Sequence, residues 1–145
     1  AATKPVVVDA AFVQGLAARP RHRLVDARAP VFYSGQEPTF GKRGHIPGAI
    51  NIPFTDVTDS NGLIDREHLS RVFTAAGLKP GDTVVAYCHV GQQATAVIFA
   101  ARLLGYPAVL YDAGDNFICL PRGDARSAAV CAGLAPWRPD ASTRD

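Results

Sequence analysis

The stretch "VVAYCHVGQQATAVIFAARLLGY", Val84 to Tyr106, puts a thiol where an apolar strand should hand over to an apolar helix. In open α/β sheets ligands bind beyond the carboxyl ends of strands, where a loop turns into a helix N-terminus. Cys88 stands at that junction. The first amides of the following helix lack intrahelical partners and carry partial positive charge, so the position favours anions, a thiolate among them. Gly91 lets the intervening loop curl until successive amides point inward as an anion-binding nest. Cysteines in such surroundings are the nucleophilic ones. Position alone leaves a second reading open: a small buried hydrophobe ending a strand, the commoner fate of a free cysteine.

The elements that would position this thiol are legible around it. "PVVVDAAFVQGLAA" predicts a strand, then a helix capped by Asp9 with Phe12, Val13, Leu16 and Ala17 on one face. "HRLVDAR" and "GAINIPF" read as two further strands, separated by a Gly- and Pro-rich loop with a half-turn of helix around Val31 to Ser34. "TDVTDSNG" is turn chemistry. "DREHLSRVFTAAG" is a helix capped by Asp65, with Leu69, Val72, Phe73 and Ala76 on one face and Gly77 at its end. "KPGDTVVAYC" gives a turn and a buried strand, Gln92 to Leu104 a helix apolar nearly all round, and "PAVLYD" another strand. This alternation predicts an α/β fold of four or five strands in a mainly parallel sheet covered on both faces. After Asp112 the periodicity is lost. Residues 1–112 are therefore read as the core of a single domain, and 113–145 as its atypical C-terminal segment, expected to be partly disordered.

Composition bounds the function. A chain of 145 residues, 48% hydrophobic and 19% charged, has the size and make-up of one globular domain. No apolar stretch approaches the roughly 20 residues a bilayer span needs, which points to a soluble protein with no membrane partner. The net charge of +2 comes from scattered arginines without a basic block, so no nucleic-acid partner is expected. Cys88, Cys119 and Cys131 form no C-x-x-C pair, and His22, His45, His68 and His89 are far apart, so neither a metal nor a cofactor is called for. The opening "AATK" resembles what a signal-peptidase cut leaves, and trimming would leave the same; cytoplasm and export compartment both stay open.

"LVDAR", "GHIPGAINIPF" and "VVAYCHVGQQATAVIFAARLLGYPAVLYD", in that order and spacing from about Val6 to Asp112, resemble the rhodanese family of sulfurtransferases. The resemblance implies the rhodanese-like fold, a five-stranded parallel sheet flanked by helices. It also implies a reaction in which Cys88 carries sulfur as a persulfide. The partners it implies are a small sulfur-containing anion such as thiosulfate as donor, and cyanide, a thiol or a protein as acceptor. His89, Val90, Gly91, Gln92 and Gln93 match the family's active-site loop and, with Arg28, are the expected substrate-binding residues. Asp26 of the D-x-R pair, Arg43 and His45 are expected to support the site, while Pro47, Gly48 and Ala49 match a segment read mainly as fold-setting.

Departures bear on the substrate. Thiosulfate-using members often carry cations just after the cysteine and after the D-x-R, where this chain has His89, Val90 and Phe32. Backbone amides and a partly protonated His89 would then hold an anion, helped by Arg28, Lys42 or Arg43. The family's usual glycine, aromatic and tryptophan after Leu-Tyr-Asp are replaced by "AGDNFICLPRG", with no tryptophan before Trp137. Three rivals are weighed against sulfur transfer. A phosphatase or arsenate reductase needs C-x5-R, and position 94 is alanine. A noncatalytic partner-binding module usually lacks the loop cysteine. A thiol-redox protein would pair Cys88 with Cys119 or Cys131.

Overall fold

The computed structural model describes residues 6–39, 43–89 and 91–112. In chain order the elements are strand β1 (Val7–Val8), helix α1 (Ala10–Gln14), β2 (His22–Asp26), α2 (Pro30–Tyr33), β3 (Ile50–Asn51), β4 (Thr58–Asp59), β5 (Gly62–Leu63), α3 (Arg66–Ala75), β6 (Thr83–Tyr87), α4 (Gln92–Leu103) and β7 (Ala108–Tyr111). Five strands pair in the order β1-β7-β6-β2-β3, and every pairing in that sheet is parallel. β4 and β5 form a separate two-residue antiparallel hairpin around the predicted turn.

Side-chain alternation along the central strand creates the two faces. Val84 and Ala86 of β6, with Cys88 just beyond its end, enter one core with Leu69 and Phe73 of α3 and Ala94, Val97 and Ala101 of α4. Val85 and Tyr87 point the other way, into a smaller core with Val13 of α1, Leu24, Ile46, Ala49 and Tyr111. A parallel strand buried on both faces has no polar side to show, which is why "TVVAY" reads as a continuous apolar run. This is the expected fold class: a five-stranded parallel sheet with helices on both faces.

Helix boundaries follow local chemistry. The Asp65 carboxylate accepts the His68 backbone N–H at 3.0 Å and caps α3. Asp9 does the same for α1 through the Phe12 N–H at 2.9 Å. The helix predicted through Ala17 is shorter: α1 stops at Gln14, Gly15 intervenes, and Leu16–Ala18 tighten into a 3-10 turn. "GAINIPF" contributes only Ile50–Asn51 as a regular strand, although the N–H groups of Ile52 and Phe54 still donate to the carbonyls of Asp26 and Ala27 at 3.1 and 2.9 Å. Among the described residues no helix is long and apolar enough to cross a membrane. The segment 113–145 lies outside the described residues, and so do the expectations for it, Cys119, Cys131 and Trp137 included.

Register brings the site together. Asp26 at the end of β2 stands level with Tyr87 at the end of β6 and Asn51 at the end of β3. Three neighbouring strands therefore stop at one line, and the loops leaving them share one edge.

Candidate active site

Cys88 is 4% exposed, and its Sγ accepts two backbone hydrogen bonds, from the Gly91 N–H at 3.0 Å and the Ala94 N–H at 3.3 Å. Both donors belong to the turn that opens α4, where amides otherwise lack partners. Gly91 makes this curl. Its φ of +89° is left-handed, it forms the N-cap of α4 without a side chain, and its carbonyl accepts the Thr95 hydroxyl at 2.7 Å. A Cβ at Gly91 would meet Leu110 Cδ2 at 3.7 Å, an ordinary contact, so the need for glycine is conformational rather than steric. The nest inferred from sequence is thus present at the sulfur, built from Gly91 and Ala94. Val90 lies outside the described residues.

Below the loop is a buried ion pair. The Asp26 carboxylate takes Arg28 Nη2 at 2.6 Å, Arg28 Nε at 3.0 and 3.1 Å and the Arg28 backbone N–H at 2.9 Å, and neither side chain has any exposure. Arg28 also donates to the Gly44 carbonyl at 2.7 Å and to Thr39 Oγ1 at 3.2 Å. The Tyr87 hydroxyl completes the cluster, donating to Asp26 Oδ2 at 3.0 Å and accepting the Ile46 N–H at 3.0 Å. Burial, reinforced by the Asp26 charge, pushes the Tyr87 phenol well above its ordinary range, so it remains a donor. Asn51 Nδ2 donates to the carbonyls of Asp26 and Arg28 at 2.9 and 3.0 Å. Arg28, expected among the substrate-binding groups, is in the structure a fully buried strut whose guanidinium already faces Asp26, Thr39 and Gly44.

His45 and Arg43 fix the flanking segment. His45 Nδ1 donates to the Tyr33 carbonyl at 2.7 Å, and its ring stacks on Tyr33 at 3.8 Å. The Tyr33 hydroxyl in turn donates to the Ala49 carbonyl at 2.7 Å. Arg43 Nη1 donates to the carbonyls of Gly35 and Gln36 at 3.0 and 2.7 Å. Both residues thus hold the segments around α2; Lys42 lies outside the described residues.

His89 departs from the expectation of a partly protonated anion holder. It is half-buried, edge-on to Phe32 with ring centroids 4.8 Å apart, and its pKa is lowered from the usual value of about 6.5, first by burial and then by the Arg28 guanidinium, with Asp26 opposing. The imidazole is therefore neutral at pH 7. Of the glutamines, Gln92 is exposed, whereas Gln93 is half-buried and its Oε1 has no hydrogen-bond partner among the described residues. Tyr87, Asn51 and Tyr33 were not singled out in the sequence. The available signal was Tyr87 itself, a hydroxyl on an inward-facing strand position that must find a partner. A groove of about 630 Å³ lies elsewhere, with His22 and Thr83, which open their strands, and Phe12 and Val109 in its lining; Cys88 follows the end of its strand.

Comparison with known proteins identifies the fold. Residues 9–116 match the family model of the rhodanese-like domain, and the chain belongs to that family. It is 38% identical over 113 residues to a probable 3-mercaptopyruvate sulfurtransferase of Pseudomonas aeruginosa, which covers 76% of this chain and 40% of that protein. A thiosulfate sulfurtransferase of Azotobacter vinelandii is 34% identical over 91 residues, covering 62% and 34% respectively. The chain thus spans less than half the length of these curated relatives. Among solved structures, the 3-mercaptopyruvate sulfotransferase of Escherichia coli superimposes with a TM-score of 0.67 at 29% identity, over 79% of this chain and 44% of that one.

Two outcomes test the site's construction. Arg28→Leu should destabilise the fold by about 3–5 kcal/mol in chemical denaturation, because it strands the Asp26 charge in the interior. Asp26→Asn in the same chain should recover part of that loss. At the loop, Gly91→Val should remove most of any activity that depends on Cys88, since a β-branched residue opposes φ near +89°. His89→Gln should be mild and leave the rate profile between about pH 7 and 8 unchanged, as a neutral ring has no charge to lose there. The stability link has a definite sign. The unfolded ring binds its proton near pH 6.5 and the folded ring only at lower pH, so wild-type stability should fall as pH drops through about 6.5, and less so in His89→Gln. Denaturation midpoints against pH for both proteins check this.

Proposed function

We propose that this domain is a sulfurtransferase that carries sulfur as a persulfide on Cys88. The observation that supports it best is the Sγ held by the N–H groups of Gly91 and Ala94 at the start of α4. The same two donors that favour a thiolate also suit the negative charge of a persulfide. In the first half-reaction the Cys88 thiolate attacks the sulfane sulfur of thiosulfate. A new S–S bond forms, the sulfur–sulfur bond of the donor breaks, and sulfite leaves with its electron pair. In the second, cyanide or a thiolate attacks the outer sulfur of the persulfide and the Cys88 thiolate leaves. Covalent storage divides one difficult exchange between two partners into two simpler displacements. Gly91 and the turn into α4 orient the sulfur, Gln92 and Gln93 offer neutral hydrogen bonds beside it, and Asp26, Arg28, Arg43 and His45 hold the framework. The names of the relatives, thiosulfate and 3-mercaptopyruvate sulfurtransferases, extend the donor class to a second small anion.

The test is intact mass after incubation with thiosulfate. Wild type should gain one sulfur atom and lose it again on addition of cyanide, while Cys88→Ser gains none because a hydroxyl is too poor a nucleophile. A loss of two hydrogens instead would indicate thiol oxidation, and unchanged mass a partner-binding module. Sulfur gain in Cys88→Ser would remove Cys88 from the mechanism.

A further inference from the structure

The end of the sheet opposite Cys88 carries groups that sulfur transfer does not use. His22, Thr83 and Ala108 open β2, β6 and β7, and all three line the groove of about 630 Å³ that runs beside α1. That volume suits a small molecule, for which pockets run from about 300 to about 1,000 Å³. Two short elements account for its position. α1 has five residues and β1 two, so this face of the sheet is only partly covered, and Val8, Phe12 and Val109 stay half-buried at the border of the smaller core.

One end of the groove gathers cationic and hydrogen-bonding groups with capacity to spare. Arg102 donates from Nη2 to the Ala108 carbonyl at 2.8 Å and forms no ion pair among the described residues, so most of its donors remain unengaged. Thr83 and His22 stand level on neighbouring strands. The Thr83 hydroxyl has no hydrogen-bond partner among the described residues, and His22 turns Nδ1 to the Pro20 carbonyl at 3.2 Å, which leaves Nε2 open. A second guanidinium without a carboxylate among the described residues, that of Arg19, lies 4.3 Å from the centre of the Phe12 ring, itself 6.0 Å from the His22 ring.

The other end is acidic. Asp9 also lines the groove, its carboxylate accepting the Phe12 N–H at 2.9 Å. It follows Val8, which is level with Tyr111 at the far end of β7 from Ala108. At about 3.3 Å per residue, Asp9 stands roughly 10 Å along the strands from the carbonyl that anchors Arg102.

We infer that this groove is a second ligand site, which takes an amphipathic monocarboxylate. The carboxylate pairs with the Arg102 guanidinium, whose fork of donors matches its two oxygens, and the Thr83 hydroxyl donates beside it. The apolar body lies along Val8, Phe12 and Val109, and Asp9 beyond them repels a second negative charge. The site is remote from Cys88 and stands independently of the sulfur-transfer reading.

Octanoate titrated into the full chain, followed by backbone amide NMR, tests this. Wild type should show saturable shifts at Phe12, His22, Thr83 and Val109 with a Kd below about 1 mM. Acetate has the head without the body and should bind at least about a hundredfold more weakly. Octan-1-ol lacks the charge and suberate adds a second carboxylate; each should bind about tenfold more weakly than octanoate. Arg102→Gln should weaken octanoate about tenfold and leave octan-1-ol unchanged. Arg19→Gln, at an exposed side chain, should weaken octanoate about twofold without disturbing the fold. Any of four results would overturn the inference: no saturation below about 10 mM, shifts centred on the exposed Phe99 and Leu103 of α4, octan-1-ol or suberate binding as tightly as octanoate, or wild-type octanoate affinity in Arg102→Gln.

Discussion

A charged pair with no exposure, Asp26 and Arg28, sits at the edge where the central strands end, and the geometry of the site depends on it. Taking both charges out of water is costly, and their mutual attraction offsets that cost only with good geometry and further hydrogen bonds. Here the further bonds come from elsewhere in the chain. Thr39, Gly44, Tyr87 and, through the Tyr87 hydroxyl, the Ile46 N–H all converge on the pair. Buried ion pairs are often exchangeable for well-packed apolar side chains at no cost in stability, but apolar side chains could not make these directed bonds, which tie the loop after β2 and the segment before β3 to β6. Cys88 follows Tyr87 directly, so the sulfur inherits that arrangement.

The second layer of order is conformational. A left-handed Gly91 turns the chain from strand to helix within three residues of Cys88 and points its N–H back at the sulfur. Stabilisation of a sulfur anion then comes from backbone dipoles fixed by folding, with no side-chain reorganisation at the moment of reaction. The buried ion pair and the nest divide the work. One fixes where the strand ends and the other which groups the sulfur meets there.

Much of this was legible in the sequence because it rests on local rules. The caps at Asp9 and Asp65, the alternation in "TVVAY" and the glycine after Cys88 each carry their meaning within a few residues. What stayed hidden depends on distant partners. Asp26 and Arg28 were visible as a pair, but not that Gly44 and Thr39 would engage the guanidinium and leave it no face for a substrate. Tyr87 looked like one more apolar strand residue until its hydroxyl met Asp26, 61 positions away. His89 was read from its unperturbed titration, whereas burial against Phe32 and the neighbouring Arg28 set its charge. The shortening of α1, which Gly15 marked, and of the strand in "GAINIPF" are local misses.

The cation-poor loop and the buried arginine are two sides of one design constraint. An arginine at the end of β2 can either face solvent and attract anions or turn inward and hold three segments together; its five donors cannot do both. In this chain it turns inward, and the neutral His89 does not replace its charge. Among the described residues, the attraction held at the sulfur is that of the Gly91 and Ala94 amides, which falls off within a turn of the helix and acts on the reacting sulfur far more than on the distant end of a substrate. A site built this way recognises the sulfur atom being transferred and leaves the rest of the donor to be sorted by whatever charge stands at the rim.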